Sequence, residues 1–306
     1  MLESIQETAE KIRKLEIQGA RNVAITAIKA IEALAKQTKA KNKAEFIKEL
    51  SKAKEVLFAT RETEPLMRNA IRWITNQVEK NDSKKVKDIV KTISSSANQF
   101  LNNLERSREE IATIGANRIR DGSVIFTHCH SSTVTYMLQK AKQQGKILEV
   151  ICTETRPVFQ GRKTAKEMLD LGLTTTMIVD SASRHFMNQA DIVLVGSDAI
   201  TSEGNVINKI GTSLIALAAH EARTPFYVVS ELLKFDPATM HGDYEKIEER
   251  DSSEIWKGPP KKLIIRNPAF DVTRRDYIHG IICEEGIISP HSTMETVRRK
   301  YPWIFE

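Results

Sequence analysis

Along residues 20–36, 44–58 and 84–115, apolar positions recur every three or four residues, the spacing of one helix face. Ile25, Ile28, Ile31 and Leu34 form one such stripe. Nothing up to about residue 115 alternates as a strand would, and no glycine falls between Gly19 and Gly115. The expected breaks are Thr63-Glu64-Pro65 and Asn81-Asp82-Ser83, the second capping a long helix that starts near Lys84. From Asp121-Gly122 the pattern changes. Short apolar runs at 123–127, 147–152, 174–179, 191–196, 225–229 and 278–283 alternate with helix-like stretches at 132–143, 161–171, 181–189 and 210–222. That alternation predicts a parallel, doubly wound sheet with right-handed crossovers. The expected fold class is α/β: an N-terminal all-helical domain, 1–118, then a Rossmann-like domain, 119–306, with a doubly wound, mostly parallel sheet that carries most of the candidate site.

Composition narrows the classes. With 41% hydrophobic and 28% charged residues the chain is ordinary for a soluble globular protein. The net charge of +6 is spread among acids, which favours anionic ligands and argues against a nucleic-acid surface; no sustained basic run or RNA-binding aromatic signature occurs. Three cysteines without a CxxC pair point to a reducing compartment. The opening MLESIQETAEKIRKLE is too charged for a signal peptide, and no run of about 18 apolar residues is present, so a cytoplasmic protein without a membrane partner is expected.

In open parallel sheets ligands bind outside the carboxyl ends of the strands. The residues that follow the strands here are polar: His128-Cys129-His130-Ser131-Ser132-Thr133, Thr153-Glu154-Thr155-Arg156-Pro157, Asp180-Ser181-Ala182-Ser183, Gly196-Ser197-Asp198, and Ser230-Glu231 with Lys234 beyond. Two stretches look built for phosphate. Ser131-Ser132-Thr133 opens a helix, and Asn208-Lys209-Ile210-Gly211-Thr212 is expected to open another with a lysine at its mouth. Ordinary helix caps are the plainer reading of both. Neither GxxxxGK[ST] nor a GxGxxG after the first strand occurs, so neither a nucleotide P-loop nor a dinucleotide cofactor is expected.

The stretch THCHSS, 127–132, admits several chemistries. If the strand continues through 128–130, His128 and His130 share a face opposite Cys129, which disfavours a metal site. A cysteine nucleophile needs an oriented base, and no oxyanion-hole signature accompanies this one. Cys129 as a thiolate base, its pKa lowered by the helix N-terminus and nearby cations, remains beside the plain reading of a buried, inert cysteine. Asp198 follows an apolar strand whose burial could raise a carboxyl pKa and let it carry a proton; a loop-holding aspartate is its plainer role.

Taken together, THCHSS, CTETRPVFQGRKTAKEM, VDSASRHF, VGSDAITSEGNVINKIGT and SELLKFDP resemble the family that joins translation initiation factor 2B α/β/δ-type subunits to sugar-phosphate isomerases. The loops are closest to the family's archaeal ribose-1,5-bisphosphate isomerase branch, over nearly the whole chain. The resemblance implies conversion of ribose 1,5-bisphosphate to ribulose 1,5-bisphosphate in AMP breakdown, without a cofactor or metal. It implies Cys129 as proton acceptor and Asp198 as proton donor. Substrate contacts would come from Ser131, Ser132, Thr133, Asn208, Lys209 and Lys234, and, in the helical domain, from Gln18, Gly19, Ala20, Arg21 and Arg61. One departure stands out: the isomerase loop usually reads Arg-Gly-Ala-Gly, and here Gln18 and Arg21 stand at its ends. A homo-oligomer, dimer or hexamer, is a further implication, with AMP a candidate activator. The rival readings are a non-catalytic initiation-factor-like subunit and a methylthioribose-1-phosphate isomerase. The apolar terminus Tyr301-Pro302-Trp303-Ile304-Phe305 must be covered, by its own chain or by a neighbour.

Overall fold

A computed structural model describes residues 2–61, 63–242 and 246–306. The chain forms two compact units, 1–106 with 298–306, and 107–297. The expected boundary at 118 is the end of a helix; by packing, the division falls inside that helix, after Arg106, and the last residues of the chain belong with the helical unit.

The helical unit comprises α1 (Leu2–Arg13), α2 (Ala20–Gln37), α3 (Lys43–Phe58), α4 (Pro65–Glu79) and the first part of α5 (Val86–Arg118). Its core is the face of α2 that carries Val23, Ala27, Ile28, Ile31 and Leu34; Ile25 sits at the edge of that stripe and is only half-buried. Asn42 caps α3 by accepting from the Glu45 N–H at 3.0 Å. Pro65 occupies the first turn of α4, where its missing N–H costs nothing. The apolar terminus is covered by its own chain: Tyr301 and Ile304 are buried, and the Trp303 ring lies 5.2 Å from that of Trp73 on α4.

The second unit is built on β1 (Val124–Thr127), α6 (Ser132–Gln143), β2 (Glu149–Thr153), α7 (Gly161–Asp170), β3 (Thr174–Ile178), α8 (Ser183–Met187), β4 (Ile192–Val195), β5 (Ala199–Ile200), β6 (Val206–Lys209), α9 (Thr212–Ala222), β7 (Phe226–Val229), β8 (Phe270–Thr273), β9 (Gly280–Cys283) and β10 (Gly286–Ile288), before α10 (Thr293–Lys300). The main sheet runs β10-β9-β7-β4-β1-β2-β3, parallel except for the β9–β10 hairpin. From β1 the chain winds outward through β2 and β3, then returns to β4 on the other side of β1 and continues through β7 and β9. The crevice between the carboxyl ends of β1 and β4 is therefore the topological switch point. Ile125, Val150, Leu194 and Val229 lie in the core, packed with Met137 and Leu138 of α6.

A second, antiparallel sheet, β5-β6-β8, departs from the sequence expectation. Asn208 and Lys209 end a strand rather than open a helix; α9 begins only at Thr212, after Gly211 turns the chain with φ 101°. Among the described residues, no helix is long and apolar enough to cross a membrane.

Candidate active site

β1 and β4 are paired neighbours, so the loops that leave them share one rim. The two loops touch: a Cβ at Gly196 would lie 2.7 Å from the Ser131 Oγ, so only glycine fits there. Ser131 caps α6 by accepting from the Val134 N–H at 3.4 Å. Among the described residues, no protein group accepts from the Ser132 and Thr133 N–H groups, so this helix start keeps anion-binding capacity. Ser132 is exposed, while Thr133 is buried.

β1 stops at Thr127, and the strand alternation expected for 128–130 does not hold, because Cys129 has a left-handed backbone with φ 63°. Its N–H donates to the Thr155 Oγ1 at 2.9 Å, and its carbonyl accepts from the Thr164 Oγ1 at 2.7 Å. His128 is buried beneath, with Nε2 2.9 Å from the Ile210 carbonyl and Nδ1 2.6 Å from the Thr153 Oγ1. A carbonyl only accepts, so Nε2 carries the proton and Nδ1 accepts from the threonine. Burial keeps the His128 pKa below its ordinary value, which favours this neutral form. His130 turns to α7, its Nε2 2.9 Å from the Glu167 Oε2. Burial lowers the His130 pKa in spite of that carboxylate. Both histidines thus brace the loop.

Burial pushes the Cys129 thiol up to about 11, against the pull of Lys209 and the His130 N–H, while the charges of Asp198 and Asp180 push it further. The expected lowering is overturned because desolvation outweighs one lysine and one N–H group. The bond from His128 to the Ile210 carbonyl holds the residue after Lys209 against this loop, and the Ser131–Gly196 contact holds the loop of Asp198. Asp198 is half-buried between β4 and β5, its N–H donating to the Ile207 carbonyl at 2.8 Å. Because the thiolate is the reactive form, alkylation of Cys129 by iodoacetamide should rise about tenfold per pH unit from pH 7 to pH 9. Peptide mass spectrometry reads this directly, and a plateau near pH 8 would contradict a raised pKa.

The second expected phosphate seat is altered. The Asp271 carboxylate, from β8, accepts from the Gly211 N–H at 2.8 Å, the Ser213 N–H at 3.1 Å and the Ser213 Oγ at 2.9 Å. The N-terminus of α9 is therefore already occupied by an anion of the protein itself, whose own pKa burial raises. What remains for a ligand is Lys209, half-buried with its Nζ 4.8 Å from the Phe270 ring centre. Asn208 is buried and donates to the Thr212 Oγ1 at 3.1 Å. Lys234 is buried as well; its Nζ donates to the Ser197 carbonyl at 2.8 Å and lies 3.3 Å from the Glu231 Oε2. It thereby anchors the residue before Asp198.

In the helical unit, Gly19 precedes α2 with φ 83°, and Ala20 is buried. The Gln18 amide donates to the Leu15 carbonyl at 2.8 Å. Arg21 is engaged by α5, donating to the Leu104 carbonyl at 3.0 Å and pairing with Glu105. Arg61 is buried in an ion pair with Glu64 at 2.6 Å.

Residues outside the expected set also shape the rim. Thr153, Thr155, Thr164 and Asp271 make the bonds just described; the threonines' only sequence signal was their place after a strand or at a helix start, and Asp271, inside β8, had none. Gly161 opens α7 against β2, where a Cβ would lie 1.8 Å from the Thr153 carbonyl oxygen. Gly161→Ala should therefore cost about 3 kcal/mol of stability, read by urea unfolding, as overpacking against backbone does.

Comparison with known proteins gives concordant matches. The family model described as the initiation factor 2 subunit family matches residues 16–290. The ribose 1,5-bisphosphate isomerase of Thermococcus kodakarensis is 41% identical over 99% of this chain and 96% of its own length. Among solved structures, the translation initiation factor eIF-2B of Pyrococcus horikoshii aligns with a TM-score of 0.81 at 33% identity, covering 94% of this chain and 97% of that one. The 5-methylthioribose 1-phosphate isomerase of the same organism aligns with a TM-score of 0.80 at 28% identity, covering 97% and 87%.

Proposed function

The chain belongs to the initiation factor 2 subunit family, and from that premise we propose that it is an aldose–ketose isomerase converting α-D-ribose 1,5-bisphosphate to D-ribulose 1,5-bisphosphate. The observation that carries this reading is the meeting of the Cys129 and Asp198 loops at the β1–β4 switch point, with Lys209 brought beside them by the bond from His128 to the Ile210 carbonyl. Its kinship is with the isomerase of Thermococcus kodakarensis.

The chemistry suits that trio. C1 of the substrate carries phosphate and is closed onto the ring oxygen, so the ring must open first. Asp198, as the acid, gives its proton to the ring oxygen as the C1–O bond breaks. Cys129, as the thiolate, takes the C2 proton, leaving a C1=C2 enol. The enol then takes a proton at C1 from the thiol while its C2 hydroxyl returns one to the Asp198 carboxylate. The ketose leaves and both groups are reset. Lys209 supplies the cation beside the thiolate. The first turn of α6 and the helical-unit residues Gln18 to Arg21 and Arg61 belong to the same reading as phosphate contacts, with Arg21 having to leave Glu105 to serve. Self-assembly as a dimer or hexamer, response to AMP and a cytoplasmic place are parts of the reading that rest on kinship; sedimentation and an AMP titration of turnover test the first two.

The test compares turnover of ribose 1,5-bisphosphate and methylthioribose 1-phosphate by the purified protein. The proposal expects the bisphosphate to be strongly preferred. Preference for the methylthio sugar, which has a single phosphate, would overturn it.

A further inference from the structure

Cys129 and Thr155 both hold left-handed backbones, at φ 63° and 61°, which residues with a side chain rarely adopt unless their surroundings fix them. What fixes Thr155 comes from the end of β3. Asp180 accepts from the Thr155 N–H through Oδ1 at 2.8 Å and from the Arg156 N–H through Oδ2 at 2.6 Å. Both carboxylate oxygens thus face one short loop. Thr155 is wholly buried, and its Oγ1 receives the Cys129 N–H. The hydroxyl protons run onward in one direction: Thr155 Oγ1 lies 3.2 Å from Thr153 Oγ1, which donates to His128 Nδ1, whose Nε2 proton ends on the Ile210 carbonyl. The ends of β1, β2 and β3 are laced together, and the lacing terminates on the backbone of the cysteine.

We propose that Asp180 is a positioning residue for Cys129, acting through Thr155 to hold the thiol at the angle from which it reaches the substrate. The proposal rests on the reading of Cys129 as the group that takes the C2 proton. Asn at 180 keeps the shape but offers one oxygen for two N–H groups, and it removes a negative charge from the neighbourhood of the sulfur. Val at 155 keeps a branched side chain but cannot accept from the Cys129 N–H. If the two residues act along one line, their effects should not multiply.

The experiment measures kcat and KM for ribose 1,5-bisphosphate, and the pH profile of Cys129 alkylation, in Asp180→Asn, Thr155→Val and the double variant. Each single change should lower kcat about tenfold with KM within about threefold, and the double variant should be no slower than the slower single one. The alkylation profile should shift to lower pH in Asp180→Asn. Thr155→Val leaves the Asp180 bonds to the backbone in place and carries the kinetic test should Asp180→Asn fail to fold. Unchanged kcat in the single variants, or effects that multiply in the double one, would overturn the proposal. Should the wild-type protein make no ketose, it is the isomerase reading that fails. The rate of Cys129 alkylation at a single pH then decides the positioning alone, and rates equal to wild type in both Asp180→Asn and Thr155→Val overturn it.

Discussion

Serine in place of Cys129 lowers kcat for ribose 1,5-bisphosphate by about 10³-fold and leaves KM within about threefold, the range expected when a positioned proton-transfer group is lost. The hydroxyl occupies nearly the same space, and the bonds that hold residue 129, from its N–H to Thr155 and from Thr164 to its carbonyl, involve only the backbone. The variant therefore keeps the loop and changes only the acidity of one atom. A serine hydroxyl ionises far less readily than even a thiol pushed up to about 11. Turnover needs Cys129 as the thiolate and Asp198 protonated at the same time. A rise in pH supplies the first and removes the second, so kcat/KM should change far less than the thiolate fraction itself, which grows about tenfold per pH unit below 11. Steady-state kinetics from pH 6.5 to 9 test this. A limb rising tenfold per pH unit would mean that Asp198 is not needed as an acid.

Asparagine in place of Asp198 lowers kcat by about 10²-fold or more, because the amide can neither give up nor take back the proton that ring opening requires. The backbone of residue 198 is held by the Ile207 carbonyl, and its predecessor by Lys234, so the loop should stay in place. Asp198 is also one of the charges that raise the Cys129 thiol, and its neutralisation should move the alkylation profile of Cys129 to lower pH. A variant that reacts faster with iodoacetamide but turns over more slowly would separate the two roles of the carboxylate. Unchanged turnover would remove Asp198 from the mechanism.

Six of the main sheet's seven strands were legible because each is a short run of apolar or β-branched residues followed by a polar end, and the helices between them keep their own period; the three-residue β10 was not read. The smaller sheet was not. Val206-Ile207-Asn208-Lys209 is brief and half polar, and it runs into Gly211-Thr212, which looks like a helix start. The meeting of the Cys129 and Asp198 loops followed from the rule that ligands gather at strand ends of an open sheet. The conformation of Cys129 did not follow, since a left-handed cysteine leaves no mark in the sequence. Nor did its acidity, because helix start and lysine were visible while the degree of burial was not. The α9 helix start looked open because its occupant, Asp271, comes from a strand far along the chain. Arg21 could be read from the sequence as a displaced phosphate ligand, but its partners on α5, Leu104 and Glu105, could not.

The most direct measurement is the product formed from ribose 1,5-bisphosphate labelled with carbon-13 at C2, followed by NMR with wild-type protein and with Cys129→Ser. The account predicts that the C2 signal moves to the ketone region as ribulose 1,5-bisphosphate forms with the wild type, and that it stays at the ribose position with the variant over the same time. An unchanged C2 signal with folded wild-type protein, or an equally fast ketone signal with Cys129→Ser, would contradict it.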